Sequence, residues 1–259
     1  MRILVLLKMV PDVVEELEVA PDGRSLDLEF LRLMVNERDD HALEEALLLK
    51  ERYGGSVTVL ALDAPEMDDA LFTALAKGAD RAVKVSGGGV GLNTCATASL
   101  FAQALSAVPN LWPADLVLTG CQAIDDLDGL LAPLLAHKLK LPYLGLVTRV
   151  EVDASGGRAT LVKEYAGGVR GEFDVSLPAV LGVQAAERPP RYVPVARVRA
   201  AMKSQKIEAV PSSDRVEAAT VGVLRLAKPE ATEHAEMLEG TPEEVASKVC
   251  EVLAERGLL

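Results

Sequence analysis

Four short, mostly apolar runs separated by helical patterns constrain the fold of this chain more than any other feature. They cover residues 2–7, 57–62, 81–85 and 116–120. Their near-continuous Val, Ile and Leu content is that of strands buried on both faces of a parallel sheet. Between them, helical spacing of apolar residues predicts helices from about Asp40 to Tyr53, Glu66 to Lys77 and Asn93 to Ala107, with Gly54 and Gly78 as C-terminal stops. Asp39 or Asp40 is the expected cap of the first. The fourth run leads through Gly120-Cys121-Gln122-Ala123-Ile124-Asp125-Asp126-Leu127-Asp128 to a helix expected near Gly129. Strand and helix alternating in this way imply βαβ units with right-handed crossovers. The expected fold is α/β and doubly wound, with a mainly parallel sheet.

The pattern changes after Leu141-Pro142. Short strands are expected at Leu144–Val152, Arg158–Glu164, Glu172–Val175 and Val180–Val183, with Gly-Gly turns at 156–157 and 167–168. They read as an antiparallel extension at one sheet edge. Near the N-terminus, Pro21-Asp22-Gly23 marks a small hairpin around 16–28. Residues 185–206 read as a loop studded with Pro and Arg, and residues 207–259 as a C-terminal helical arm. Leu224–Glu239 of that arm is a candidate for packing on another chain. Its final helix carries a full set of end signals, with Thr241 as cap, Pro242 first, Glu244 completing a capping box and Gly257 beyond the end. Residues 1–184 then form the α/β domain.

A net charge of −12 argues against nucleic acid as the main partner, since phosphate binding needs clustered Lys and Arg. The apolar run at the N-terminus is too short for a signal peptide and is interrupted by Lys8, and no run approaches a membrane span. Three separated cysteines, Cys95, Cys121 and Cys250, form no CxxC and suit a reducing cytoplasm.

The candidate chemistry is sparse. Gly87–Gly91 lacks the Gly-Lys-Ser/Thr ending of a phosphate loop, and the Rossmann spacing fails at Leu92, so it reads as a flexible connection. Asp125, Asp126 and Asp128 have the oxygen ligands of a hard cation but not its spacing; Asp128 as cap of the following helix is the simpler reading. His41, His137 and His234 fall in separate helical segments and read as surface residues, with no catalytic pairing. Residues 187–206 stand apart. Arg188, Arg191, Arg197, Arg199, Lys203 and Lys206 face a single Glu187, interleaved with Pro189, Pro190, Tyr192, Val193, Pro194, Val195 and Val198. An apolar tip with basic flanks on an acidic chain suits docking to an acidic protein.

Taken together, several motifs resemble the beta subunit of electron-transfer flavoproteins along nearly the whole chain. They are Lys8-Met9-Val10-Pro11-Asp12, Asn36 with Ala42-Leu43-Glu44-Glu45-Ala46, the stretch Ala74–Arg81, and Gln122-Ala123-Ile124-Asp125-Asp126. The Gly167-Gly168 turn followed by Leu177–Val180 matches the family signature, with Ala166 where an acid is usual, and Pro190-Arg191-Tyr192 matches the start of its recognition loop. The resemblance implies an electron carrier without substrate chemistry of its own. It implies a heterodimer with an alpha subunit that holds most of an FAD, against which the C-terminal arm packs. Electrons would come from flavin-dependent dehydrogenases such as acyl-CoA dehydrogenases and pass to a membrane quinone reductase, with no membrane insertion of this chain. Lys8, Pro11, Asp12 and Val13 are implied to approach the FAD, with Val13 where many relatives have a hydroxyl. Arg191, Tyr192, Val195, Arg197 and Arg199 are implied to meet the partner. Val195 replaces a usual leucine, a loss of about 0.8 kcal/mol per buried methylene.

Relatives also bury an AMP, or a second FAD in bifurcating members. The implied site comprises Leu6, Asn36, Asp63, Ala123, Asp126, Asp128, Gly129, Leu130 and Leu131. The last four stand where relatives have hydroxyl and amide donors, and Leu6 and Asp63 are larger than the usual Ala and Cys or Gly. A degenerate nucleotide site is therefore expected. The alternative from another class is a nucleotide-binding sensor or hydrolase of the same architecture, and a third reading is a structural offshoot without flavin.

Overall fold

The computed structural model describes residues 1–89, 92–153, 157–212, 222–229, 235 and 237–259. Strand β1 (Arg2–Leu7) leads to a two-stranded antiparallel ribbon, β2 (Met9–Pro11) with β3 (Leu33–Val35). The intervening hairpin expected around 16–28 is present as a bridge between Val19 and Leu26. Then follow α1 (Glu37–Tyr53), β4 (Ser56–Asp63), α2 (Met67–Lys77), β5 (Arg81–Gly89) and α3 (Thr94–Ala107). Next come β6 (Leu116–Gly120), α4 (Leu131–Leu139), β7 (Tyr143–Asp153), β8 (Arg158–Glu164), β9 (Arg170–Ser176) and β10 (Ala179–Val183). Helix α5 (Val195–Ser204), strand β11 (Ile207–Pro211) and helix α6 (Pro242–Glu255) complete the described elements.

One nine-stranded sheet runs in the order β11-β5-β4-β1-β6-β10-β7-β8-β9. It is parallel from β11 through β7, and only β7-β8-β9 pair antiparallel. Alternate side chains of β1 enter opposite cores. Ile3, Val5 and Leu7 pack with Ala42, Leu43, Ala46 and Leu47 of α1. Leu4 and Leu6 pack with Leu100, Phe101 and Leu105 of α3 and with Leu135 of α4. Both faces are thus covered, as a parallel sheet requires.

Six expectations change. Gly87–Gly89, read as a flexible connection, extend β5, and Ile207–Pro211, assigned to the helical arm, form β11 beside it. β10 lies inside the parallel region, between β6 and β7, rather than in the antiparallel edge. All five of its residues are buried, so the lack of polar alternation in Ala-Val-Leu-Gly-Val was the sign of a two-face strand. Residues 195–204 are helical, because Pro194 sits just outside the helix, where its fixed φ does no harm, and Val195–Ser204 are free of proline. Helix α1 begins at Glu37 after Asn36, so neither Asp39 nor Asp40 caps it. Helix α4 begins at Leu131, and Asp128 lies three residues before it.

β11 belongs to the sheet beside β5. The chain divides into two compact units, Met1–Arg225 and Leu226–Leu259. In the second, α6 carries the predicted capping box, with the Glu244 N–H donating to Thr241 Oγ1 and the Thr241 N–H to Glu244 Oε2. Val90, Gly91, Gly156, His234 and part of Leu224–Glu239 lie outside the described residues. Among the described residues, no helix is long and apolar enough to cross a membrane.

Candidate functional site

The chain winds from β1 toward β4 on one side and returns to β6 on the other, so the order of connection reverses between these two parallel strands. In open α/β sheets, ligands bind beyond the carboxyl ends of the strands at such a switch point. Here the residues just past those ends are Lys8 and Cys121.

Asp39, in the first turn of α1, joins the two strand tips. Its carboxylate accepts the Lys8 main-chain N–H at 2.9 Å and the Gly120 N–H at 2.7 Å. Gly120 permits this approach, because a Cβ there would lie 2.6 Å from both Arg38 Cβ and Asp39 Oδ1. Burial pushes the Asp39 pKa up to about 7, against the pull of the Gly120 and Lys8 donors. Asn36 adds a further tie, its Nδ2 donating to Gln122 O at 3.0 Å.

The Lys8 side chain reaches across to the loop after β6. Its Nζ donates to Asp125 Oδ1 at 2.7 Å and to Asp126 Oδ2 at 2.9 Å. Burial alone would lower the Lys8 pKa, but the two carboxylates outweigh it and hold the ammonium above its usual value. Asp128 Oδ1 accepts the Leu130 N–H at 2.8 Å, and its Oδ2 accepts the Thr94 hydroxyl at 2.6 Å. On the other flank, Lys84 bridges Asp63 at 3.1 Å and Asp68 at 2.7 Å. Burial pushes the half-buried Cys121 thiol up, which disfavours the nucleophilic thiolate. Among the described residues, no group of three His, Cys, Asp or Glu is placed to hold a metal ion.

The basic segment is fastened to α1. Glu44, whose side chain is only 4% exposed, receives the Arg191 guanidinium at 2.8 Å, and Glu51 receives it at 2.6 Å. The Arg191 N–H also donates to Glu44, the Glu187 N–H to Glu45 and the Ala186 N–H to His41 Nδ1. Arg191 is thus turned inward, while Tyr192 is 84% exposed and Val195, Arg197 and Arg199 face solvent.

Comparison with known proteins adds the decisive observation. The family model of the electron transfer flavoprotein domain matches residues 31–215. The electron transfer flavoprotein subunit beta of Methylophilus methylotrophus is 31% identical over 98% of this chain and 98% of its own. The subunit beta of Clostridium acetobutylicum is 35% identical over 76% and 74%, and that of Syntrophomonas wolfei 31% over 97% and 95%.

The chain belongs to the electron transfer flavoprotein family. Its relatives there are beta subunits, so its function is that of an electron-transfer component, and a nucleotide sensor or hydrolase is not favoured. Of the residues singled out from the sequence, Lys8, Asn36 and Asp126 meet at the switch point, with Asp128 close by on the same loop. Leu6 faces the core beneath. Pro11, Asp12 and Val13 lie at the end of β2, where Asp12 Oδ1 accepts the Val14 N–H. Sequence reasoning missed Asp39 as a strand clamp and Glu44 and Glu45 as anchors. The signal for the anchors was an acidic pair set in the apolar face of a helix.

Proposed function

We propose that this chain is the beta-type half of a two-subunit electron carrier. It pairs with an alpha-type electron-transfer flavoprotein chain and lies against an FAD held mainly by that chain. Electrons arrive from flavin-dependent dehydrogenases, such as acyl-CoA dehydrogenases, and leave to a quinone reductase. The carrier works in the cytoplasm, and this chain performs no substrate chemistry of its own.

The observation that carries the reading is an uncovered apolar surface beside the switch point. Val13 is 57% exposed, Val14 92% and Phe30 90%. The two stretches are tied together, with the Asp12 N–H donating to Arg32 O and the Arg32 N–H to Glu15 Oε2. Apolar side chains this exposed on a folded domain mark a surface that a partner covers. The fit to FAD is partial. Pro11 and Val13 offer a wall for a flat ring, whereas a pyrophosphate needs free main-chain N–H groups; Pro11 has none, and those of Asp12, Val14 and Glu15 are given to Arg32 O, Asp12 Oδ1 and Asp12 O. The rest of the cofactor therefore belongs to the other chain.

A bound FAD supplies one- and two-electron transfer at its ring. The residues of this chain position that ring and exclude water from it. Pro11 and Val13 form the apolar side, and the Lys8 contacts fix the strand end from which they project. Tyr192, Val195, Arg197 and Arg199 form the surface for the dehydrogenase, held in place by the inward-facing Arg191.

Co-expression of this chain with an alpha-type chain tests the reading. A yellow complex that co-purifies is expected. A colourless pair supports the structural offshoot instead, and ATP binding by the isolated chain in calorimetry supports the nucleotide sensor or hydrolase.

A further inference from the structure

The family resemblance implies an AMP in the crevice at the β1–β6 switch point, and the residues there do not fit one. A phosphate at a helix N-terminus is held by free main-chain N–H groups. At α4 that supply is depleted. The Leu130 N–H is already given to Asp128 Oδ1. Pro133, in the first turn, has no N–H to give. Leu130 and Leu131 bring neither hydroxyl nor amide.

Charge works in the same direction. Asp125 and Asp126 belong to the motif shared with AMP-binding relatives, and Asp128 is the carboxylate that this chain adds where they have a donor; the Lys8 ammonium is already shared between the first two. The loop comes back on the chain just past the end of β6. Leu127 and Gly129 both take left-handed conformations, at φ 52° and 61°, and a Cβ on Gly129 would lie 3.1 Å from Cys121 O. On the adenine side, Leu6 is buried in the core and Asp63 is paired with Lys84.

We propose that the crevice is closed by the chain's own carboxylates, which stand where a nucleotide's phosphates would, and that the protein carries no AMP there. Asp128 joins the N-terminal ends of α3 and α4 through Thr94 and Leu130. Asp125 and Asp126 satisfy Lys8. Asp63 and Asp68 likewise satisfy Lys84.

This inference rests on the electron-carrier reading only in taking AMP as the ligand to be tested. Both the chain alone and its complex with an alpha-type chain are purified and denatured, and released AMP and FAD are quantified separately. AMP far below the chain concentration is expected in both samples, whatever the FAD content. Equimolar AMP in either overturns the closed crevice, whereas a complex without FAD counts against the electron-carrier reading alone. A thermal melt in saturating AMP supplies a second readout, because a ligand that binds the folded state raises the midpoint. An unchanged midpoint is expected, and a clear rise overturns the proposal.

Discussion

Asp39 concentrates the pH sensitivity of the switch point in one carboxyl group. It is buried, it clamps the tips of β1 and β6 through the Lys8 and Gly120 N–H groups, and its pKa is pushed up to about 7. The unfolded chain ionises the same group near 3.8. The folded state therefore keeps the proton to higher pH than the unfolded state does. The stability linked to that proton is fully present below the unfolded value and is lost as pH rises to about 7. Urea unfolding compared at about pH 5 and about pH 8 should show a loss on the order of 2 kcal/mol from this group. Asp39→Asn should flatten that difference. A variant whose pH dependence matches the parent would show that Asp39 is ionised throughout.

At the scale of elements, the segment that leads into α5 divides into an anchor and a contact face. Arg191→Ala leaves the Glu44 carboxylate buried without its cation, a change that costs about 3–5 kcal/mol when such a pair is broken. Arg197→Ala removes an exposed charge and should shift stability by no more than about 0.5 kcal/mol. The second variant should instead slow association with the dehydrogenase and weaken its salt dependence. Denaturation midpoints together with association rates at two salt concentrations check both. An Arg191→Ala protein as stable as the parent would remove the anchor role.

The elements also show where the sequence could be read. The strands around β1 and the helix ends at Gly54, Gly78 and Thr241 were legible, because apolar runs and capping residues act locally. β10 was misplaced because its unbroken apolar run, the mark of a strand covered on both faces, was grouped with the strands that precede it in the chain. α5 was hidden by the prolines before it. In the candidate site, Lys8, Asn36 and Asp126 stood out in the sequence, but their contacts did not. Lys8 meets Asp125 across 117 positions of chain, and no local rule links residues so far apart.

For the whole molecule, a doubly wound sheet presents one switch point, and this chain fills it with internal ion pairs while leaving apolar surface uncovered beside it. Such a design suits a subunit that lines a cofactor site completed by another chain. The C-terminal unit fits that picture through α6, where Val249 and Val252 remain exposed along a capped helix. In the proposed carrier, flavin binding belongs to the pair and not to this chain. The most direct measurement is the flavin content of the isolated chain and of its purified complex with an alpha-type chain, read from the absorption of released FAD. Equimolar FAD in the complex and none on the chain alone is the predicted result; a complex without FAD, or a chain that binds it unaided, would contradict the account.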